Sequence, residues 1–571
     1  MGEFDDPVII VVGGGAVALS TAQELCALQG HRVVVLWRRD PEVARAVKSI
    51  GAEFVAAARP DSAEGLNGAG VQHAVSILAL SPDDQLNLHA ALLARDANVR
   101  IRIVLRQFNR TLGHKIEQNL PNCSVLSLAW HSAATYAAAA LDPSCFRGLQ
   151  FPEPDGPLTG FATRIAGNCG AAGTTVAQAE RLLSARILAV DGKTDLDRDM
   201  VIASRAELVV YGAISRLESS AARPPVVRTR RGLGRRLRTL WDPSRRQPPR
   251  LNPILVRLAA AALVIFLLGT WHFHSAFGWL DAVYFVVTTM TTTGYGDLSP
   301  DPHNPIDIIA AMLLMLSGIT LTGLFIAFGA SLLTRVHWVT MQGLRPVHRR
   351  GHIIVCGAGS IGSGAIDLLL ALGKRLVVVE ISPDSSLVEQ AREQSFDLLT
   401  GDASRDATLD LCNLGAAHAL IALTNVDTLN LEIALGARAR NPTMPVVLRI
   451  AEASFAQSIA RHFEFETTFS AAALAAPAFV GLSRFAGSRG RVAFVGREFA
   501  VGELVITEDG PSTAPQDAIL IAVSREGDSS ITHRFSHRAP GDRALLVVSF
   551  ERFGEDKDTL AAAAQRFLQA G

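Results

Sequence analysis

The chain has 571 residues, more than a single hydrophobic core organises, so its length predicts roughly three or four domains. Hydrophobic residues make up 49% of it, more than we expect of an ordinary soluble protein, and this indicates membrane segments. Lys plus Arg and Asp plus Glu both number 54, and this zero net charge gives no electrostatic reason to expect nucleic acid as a partner.

The N-terminal segment begins with a buried-strand pattern, Val8 to Val12, that runs into the turn Gly13 to Ala18. A strand, a glycine-rich turn and a helix in this order are typical of a nucleotide-binding βαβ unit. At the end of the next strand, where such units place an acid for a ribose hydroxyl, the chain has Trp37, followed by Arg38 and Arg39. Because an indole cannot accept that hydrogen bond, we expect this segment to be structural, or to bind a ligand with an extra phosphate near Arg38.

An arginine- and proline-rich stretch follows, from residue 221 to residue 252, and we expect it to be a linker at the inner leaflet of a membrane. Two interpretations stay open: the arginines set the topology and solvate the chain, or they bind anionic lipid. The acidic start, Met1 to Asp6, lacks the basic region of a signal peptide, so we expect the chain to start in the cytosol. The six cysteines are scattered without metal-ligand spacing, which fits this reduced setting.

Two long apolar runs, Ile254 to Trp271 and Ile306 to Val336, are each long enough to cross a membrane. No Lys or Arg occurs between residues 258 and 334, whereas arginines precede the first run and follow the second. By the positive-inside rule both flanks lie in the cytoplasm, which an even number of crossings also requires. The sequence therefore predicts a multi-pass protein of the cell membrane with both termini cytosolic.

A shorter apolar stretch, Trp279 to Met290, lies between these runs and predicts a re-entrant helix. It leads into Thr-Thr-Gly-Tyr-Gly-Asp, and irregular backbone at membrane depth is tolerated only where it is buried in protein or lines a water-filled path. Outer run, re-entrant helix, T-x-G-Y-G-D and inner run together resemble the two-transmembrane pore of potassium channels.

This resemblance implies a potassium-selective filter whose backbone carbonyl groups replace the hydration shell of the ion, with one segment from each of four identical subunits. The potassium ligands would be the Thr292 hydroxyl and the backbone carbonyl oxygens of Thr292, Thr293, Gly294 and Tyr295. Tyr295 would also brace the filter from behind, and Asp297 would sit at its outer mouth. Thr293 stands where valine is commoner in the family, and its similar shape leads us to expect that selectivity survives. The filter residues implied are Thr292, Thr293, Gly294, Tyr295, Gly296 and Asp297.

The sequence predicts no voltage sensor, since no arginine-striped helices precede the pore, and gating must come from elsewhere. In the second run, Gly318 is the candidate gating hinge, with Gly323 and Gly329 as competitors. The alternative is that these glycines simply allow helices to pack closely.

The C-terminal part contains the strand pattern Ile353 to Cys356, which runs into Gly357-Ala358-Gly359-Ser360-Ile361-Gly362 and an apolar helix. The next strand ends in Glu380, so every part of a nucleotide-binding βαβ unit is present. This segment resembles the TrkA-N-like regulator-of-potassium-conductance (RCK) domains that gate many prokaryotic potassium channels. The nucleotide-binding residues expected are Gly357, Gly359, Ser360, Ile361, Gly362, Glu380, Asp402, Ala403 and Thr424.

The N-terminal segment repeats this plan at an offset of about 343 positions: Leu86-Asn87-Leu88 matches Leu429-Asn430-Leu431. One repetition at so long a spacing predicts duplicated domains rather than a solenoid. The fold class expected is therefore a membrane α-helical pore with α/β Rossmann-like RCK domains before and after it. The domains expected are 1–142 and 351–485 (Rossmann), 143–220 and 486–571 (smaller C-terminal subdomains), 221–252 (linker), 253–337 (pore) and 338–350 (connector).

We therefore expect a homotetrameric potassium channel in the lipid bilayer, not an enzyme, gated by a small nucleotide such as NAD, NADH, ATP or ADP at the C-terminal copy. Divalent-cation regulation stays open, although no loop has a calcium-binding spacing. A nicotinamide-dependent oxidoreductase is one alternative, since it shares the βαβ unit, but no segment resembles a substrate domain. The membrane component of a potassium uptake transporter is another, but such components generally carry four pore repeats in one chain, and this chain has one.

Overall fold

The structure, a computed structural model, describes residues 7–28, 31–151, 156–220, 253–341, 346–484, 487–505, 518–524, 531–532 and 542–549. The predicted linker at residues 221–252 and both chain termini lie outside the described residues. The chain divides into two compact units. The Rossmann unit comprises Met1–Ala222 with Leu344–Gly571, and the helical unit comprises Arg223–Gly343.

The N-terminal copy of the Rossmann unit is a six-stranded parallel sheet with helices on both faces, because its strands are apolar on both faces and must be covered twice. Its strands follow the order β3-β2-β1-β4-β5-β6, so the order reverses between β1 and β4. The strands are β1 Val8–Val12, β2 Arg32–Trp37, β3 Glu53–Ala56, β4 Ala74–Ala79, β5 Arg102–Arg106 and β6 Cys123–Leu126. The helices are α1 Ala16–Ala27, α2 Pro41–Ser49, α3 Ala63–Gly68, α4 Asp84–Ala97, α5 Arg110–Asn119 and α6 Leu128–Leu141.

An antiparallel four-stranded sheet follows, in the order β7-β8-β10-β9. Its strands are β7 Cys145–Gln150, β8 Leu158–Ile165, β9 Arg186–Val190 and β10 Glu207–Ala213. Its helices are α7 Ala166–Cys169, α8 Val176–Leu183 and α9 Ile214–Ser220. The N-terminus of α8 is fixed by a capping box between Thr175 and Gln178.

The helical unit consists of α10 Pro253–Phe277, α11 Trp279–Met290 and α12 Pro305–Met341. Two of its helices are long and apolar enough to cross a membrane, over Ala260–Phe277 and Pro305–Leu324. Only 11% and 17% of these segments are buried within the chain, whereas the core helix of a soluble protein would be mostly covered. The first helix continues past the predicted end at Trp271 and stops before Gly278, whose φ is +83°.

The C-terminal copy has the same sheet order as the first, β13-β12-β11-β14-β15-β16, which confirms the predicted fold class on both sides of the helical unit. Its strands are β11 Ile353–Cys356, β12 Leu376–Glu380, β13 Asp397–Thr400, β14 Ala419–Ala422, β15 Val446–Ile450 and β16 Thr468–Ser470. Its helices are α13 Ser360–Ala371, α14 Ser385–Glu393, α15 Asp406–Leu411, α16 Asp427–Arg440, α17 Ala453–Phe463 and α18 Ala471–Leu482.

A second antiparallel sheet completes the Rossmann unit, in the order β17-β18-β21-β19-β20, which repeats the order of the first antiparallel sheet and adds one strand. Its strands are β17 Ser488–Phe494, β18 Arg497–Val505, β19 Ala518–Ser524, β20 Ile531–Thr532 and β21 Arg543–Ser549. The apolar faces of the two antiparallel sheets share one hydrophobic cluster.

The two Rossmann copies pack by a reciprocal exchange of equivalent helices: α6 of the first contacts α13 of the second, and α18 of the second contacts α1 of the first. Small residues bring the helices close, as where a Cβ on Gly364 would lie 3.1 Å from the Ala133 Cβ. The Tyr136 hydroxyl donates to the Phe469 carbonyl at 3.0 Å. One chain therefore contains a pseudo-twofold pair of Rossmann domains.

A buried polar contact fastens this pairing. The Arg147 guanidinium donates to the Leu474 carbonyl across the interface at 2.8 Å, and to Nε2 of His131 at 2.7 Å. Burial lowers the pKa of Arg147 to about 10. The pKa of His131 lies well below its usual range. Burial is the main cause, and the charges of Arg147 and Arg489 add to it. His131 is therefore neutral and serves as an acceptor.

Candidate functional site

The helical unit places T-T-G-Y-G-D directly after the C-terminal end of α11. The N–H groups of Thr293 and Gly294 both donate to the Thr288 carbonyl, at 2.9 and 3.1 Å, so the start of the segment is tied to the last turn of the helix. The Thr291 and Thr293 hydroxyls are 2.9 Å apart. The negative end of the α11 dipole lies at this same point, and it favours a cation there.

Positive φ angles alternate along this segment: Thr292 has φ +61°, Gly294 +48° and Gly296 +78°, whereas Thr293 and Tyr295 between them do not. The sign of φ therefore changes from each residue to the next along the segment. Only glycine adopts positive φ freely, and for the β-branched Thr292 such strain costs roughly 1–3 kcal/mol. Backbone strain of this kind clusters at functional sites.

Sequence reasoning missed Tyr284, which lies in the middle of α11. Its hydroxyl donates to the Asp297 carboxylate at 2.9 Å, and its ring lies parallel to the Tyr295 ring, with 6.5 Å between centroids. These contacts join the helix to both the middle and the outer end of the segment. The sequence shows a tyrosine ahead of G-Y-G-D, but its contacts with that motif can be recognised only in the folded structure.

Gly318, the predicted hinge, faces the end of α11 within the helical unit. A Cβ on this residue would lie 2.5 Å from the Met290 carbonyl oxygen, so the missing side chain allows α12 to approach the helix that carries the filter segment. Around Gly323 nothing lies within 4 Å of such a Cβ. Gly329, the other competitor, lies further along α12. Close packing therefore explains Gly318, and its role as a hinge stays a prediction.

In the C-terminal copy, a cleft of about 390 Å³ opens at the carboxyl ends of the parallel strands, where the strand order reverses between β11 and β14. This is the position at which open α/β sheets bind ligands. The glycine loop forms one wall. Gly357 has φ +95°, and a Cβ there would lie 3.0 Å from the Thr424 nitrogen. Around Gly359 nothing lies within 4 Å of a Cβ, so a ligand can approach its backbone and the N-terminus of α13.

Glu380 ends β12 at the wall of this cleft, as predicted. Its Oε2 accepts from the Ala358 N–H at 2.7 Å, and its Oε1 accepts from the Ser382 N–H at 3.2 Å. Asp402 also lines the cleft, just after the neighbouring strand β13, and hydrogen bonds from the Ser404 hydroxyl and N–H hold its pKa below the usual range. The cleft thus holds carboxylate oxygens that can accept hydrogen bonds from hydroxyl groups.

The structure brings six of the nine predicted nucleotide residues to the cleft wall: Gly357, Gly359, Glu380, Asp402, Ala403 and Thr424. The other three support it from behind. Ile361 is buried in the hydrophobic core, and a Cβ on Gly362 would lie 2.0 Å from the Gly357 carbonyl oxygen. Ser360 is the first residue of α13 and offers its backbone N–H.

Asp384 also lines the cleft and was not predicted from the sequence. It caps α14 by accepting from the Leu387 N–H at 2.8 Å, and this bond, with one from the Ser386 hydroxyl, lowers its pKa. Its signal is the cap pattern Pro-Asp-Ser-Ser soon after a strand. With Glu380 and Asp402 it makes three carboxylates on the wall, and none of the lining residues is Lys or Arg.

The N-terminal copy differs at the same edge. Its cleft is lined by Arg38, Arg59, Asp61 and His89 with five neighbours, and by no residue of the glycine loop. Asp61 accepts from Arg59 at 3.2 Å and pairs with His89 at 2.9 Å. Among the described parts of the chain, no group of three or more His, Cys, Asp or Glu side chains could hold a metal ion.

Comparison with known families agrees with this architecture. The TrkA-N domain family matches residues 9–120 and again residues 353–470, and the ion channel family matches residues 254–335. Two TrkA-N domains thus flank an ion-channel domain in this chain, which is the domain content of a two-transmembrane potassium channel with RCK domains on both sides of the pore.

Curated relatives are similar over part of the chain. An uncharacterized protein of Methanothermus fervidus is 26% identical over 36% of this chain and 33% of its own length. The voltage-gated potassium channel Kch of Escherichia coli is 25% identical over 30% of this chain and 42% of its own. Potassium channel protein 1 of Methanocaldococcus jannaschii is 25% identical over 34% and 58%. The chain therefore spans about a third to three fifths of these relatives.

Solved structures with a similar course of the chain include the GsuK RCK domain, at 14% identity and a TM-score of 0.49, covering 99% of this chain and 96% of that one. The GsuK channel bound to NAD is similar at 15% identity and a TM-score of 0.49, over 98% of this chain and 80% of that one.

Proposed function

We propose that this chain, in which two TrkA-N domains flank an ion-channel domain, is one subunit of a homotetrameric potassium-selective channel gated by a nucleotide. The observation that carries the proposal is the alternation of positive φ at Thr292, Gly294 and Gly296, behind a short helix between two apolar helices. One such segment supplies one column of carbonyl oxygens. Four columns around an axis are needed to replace the hydration shell of potassium, so the pore is built from four copies.

The gate is assigned to the C-terminal cleft because it combines an approachable glycine loop, a helix N-terminus and the acceptor Glu380. Three carboxylates and no lining cation disfavour extra phosphate groups on the ligand. A free ribose hydroxyl pairs with Glu380, whereas a 2′-phosphate would be repelled. NAD, NADH or ADP therefore fits the cleft better than a 2′-phosphorylated dinucleotide or ATP without a bound cation.

A ligand shifts a gate only through its different affinities for the closed and the open assembly. Coupling of about 1–3 kcal/mol changes the ratio of open to closed channels roughly 5–150-fold. The segment between α12 and β11 is the covalent path by which a change in the Rossmann unit reaches the pore. Both flanks of the helical unit are assigned to the cytosol on the arginines that surround it.

Bi-ionic recording of the purified channel in planar bilayers, with potassium on one side and sodium on the other, tests the pore. The wild type and a matched control outside the filter, Ser275→Ala, are expected to reverse near the potassium potential. Gly294→Ala is expected to abolish selective current, because alanine resists positive φ. Equal currents of sodium and potassium through the wild type would refute the proposal.

A further inference from the structure

The glycine loops of the two Rossmann copies are anchored in the same way to the second strand of each sheet. The Gly13 N–H donates to the Leu36 carbonyl at 3.2 Å, and the Gly357 N–H donates to the Val379 carbonyl at 2.9 Å. The residue that follows each acceptor therefore stands at the same place beside its loop. The two residues at this place are therefore equivalent in the two copies.

That residue is Glu380 in the C-terminal copy and Trp37 in the N-terminal copy. The Glu380 carboxylate accepts from the N–H of Ala358, the second residue of its loop. In the N-terminal copy the second residue is Gly14, and a Cβ built on it would lie 2.3 Å from Nε1 and 2.4 Å from Cδ1 of the indole. The ring therefore rests directly on the loop backbone, at a distance that only glycine permits.

Gly14 and Trp37 are thus a matched pair, as are Ala358 and Glu380. In the first pair the loop residue is a glycine, which has no side chain, and the strand residue carries a bulky ring. In the second pair the loop keeps a methyl group and the strand supplies a small acceptor. An indole offers one N–H donor and no acceptor, so it cannot hold a ribose hydroxyl as Glu380 can.

The clefts reflect this difference. Gly357, Ala358 and Gly359 line the cleft of the C-terminal copy, whereas the cleft beside Arg38 and His89 in the N-terminal copy is lined by no residue of the loop 13–15. A dinucleotide or nucleoside diphosphate needs close approach of its phosphates to the loop backbone. The indole covers Gly14 on this approach and supplies no acceptor for a ribose, whereas the next residue, Gly15, has nothing within 4 Å of a Cβ.

We propose that Trp37 is a built-in plug: because it covers Gly14 and stands where the ribose acceptor would be, it keeps nucleotides from the N-terminal copy, so that each chain binds one regulatory nucleotide and a tetramer binds four. The number of sites rests on the function proposed for the C-terminal cleft, but the plug does not. The two copies of the pseudo-twofold pair are consequently unequal. The C-terminal copy responds to the ligand, and the N-terminal copy does not change with it.

A ligand-free measurement tests the plug by thermal melting of the full-length channel. Gly14→Ala is expected to lower the Tm, since its methyl group collides with the indole, and to have no such effect when Trp37→Glu is also present. Gly15→Ala is the matched control, because nothing lies within 4 Å of its Cβ and its φ of −86° suits alanine. If Gly14→Ala were as harmless as Gly15→Ala, the proposal would be overturned.

Isothermal titration with NAD and with ADP then counts the sites on full-length protein. We expect one site per chain in the wild type, none in Glu380→Ala, and two in the double swap Gly14→Ala/Trp37→Glu, whose melting curve verifies that it is folded. Two sites in the wild type would overturn the plug, and so would a folded double swap that gains none. No site in the wild type but one in the double swap would support the plug while removing the proposed C-terminal site.

Discussion

Replacing Asn430 with alanine is expected to destabilise the C-terminal copy and to weaken its binding of nucleotide. Asn430 is fully buried at the start of α16. Its side chain accepts from the Thr424 N–H at 2.9 Å, and donates to the Thr424 carbonyl at 3.0 Å and to the Arg449 carbonyl at 2.9 Å. It therefore ties together the ends of β14 and β15, where Thr424 lines the cleft.

The magnitude follows from these three hydrogen bonds to main-chain groups. The Thr424 hydroxyl also donates to Asn430 Oδ1 at 2.8 Å, but it has a second acceptor in the Val426 carbonyl at 3.3 Å. At about 1 kcal/mol each, loss of the three main-chain bonds costs about 3 kcal/mol of unfolding free energy, and alanine offers no replacement partner. For a domain of 150–250 residues this lowers the Tm by roughly 6–12 °C. Because the loosened loop forms a cleft wall, nucleotide affinity is expected to fall on the order of tenfold, which corresponds to about 1.4 kcal/mol.

The chain supplies its own control in Asn87, which is also fully buried. It accepts from the Ser81 N–H at 2.9 Å, and donates to the Ser81 and Arg106 carbonyls at 2.8 and 2.9 Å. Asn87→Ala removes the same three bonds to main-chain groups and should therefore cost a similar stability, about 3 kcal/mol, without changing nucleotide affinity. Thermal melting and titration of both variants in detergent give the comparison. An unchanged Tm in Asn430→Ala, or an equal loss of affinity in Asn87→Ala, would refute the reasoning.

Three further predictions concern the pore and the pairing of the copies. Tyr284→Phe keeps the ring but removes its bond to Asp297, so single-channel recording should show shorter conducting bursts, and unchanged bursts would exclude a supporting role. Gly318→Ala should disturb filter conductance, because its methyl group meets the end of α11, whereas Gly323→Ala should not; equal effects would contradict the packing role. The pKa of His131 is depressed in the folded state, so its stabilising effect is complete above about pH 6.5 and is lost as the pH falls below it. His131→Gln should flatten the fall in Tm between pH 7.5 and pH 5, and an equally steep fall in the variant would show that other groups cause it.

Local patterns were sufficient to predict much of this molecule. The strand, glycine turn and acid around Gly357 and Glu380 are contiguous features, and the apolar length of a membrane helix follows from bilayer thickness. The duplication was visible because Asn87 and Asn430 recur at one spacing, and the structure gives the reason: both residues make the same three hydrogen bonds to main-chain groups.

Other features depend on contacts between distant segments and leave no local pattern. The exchange of helices between the copies needs Tyr136 to meet Phe469, 333 positions away. The end of α10 was placed too early, because the polar residues after Trp271 were taken as the end of the apolar run, yet they remain compatible with a helix until Gly278. The contact between Trp37 and Gly14 was visible in the sequence only as a missing acceptor, since no sequence rule gives the distance from an indole to that glycine.

The most direct test of the account is single-channel recording with potassium on both sides and nucleotide added to the face that carries the Rossmann unit. NAD, NADH or ADP is expected to change the open probability of the wild type, and Glu380→Ala should remove this response while leaving potassium selectivity intact. A potassium current that ignored every nucleotide, or that responded equally in Glu380→Ala, would contradict the assignment of the gate to the C-terminal cleft.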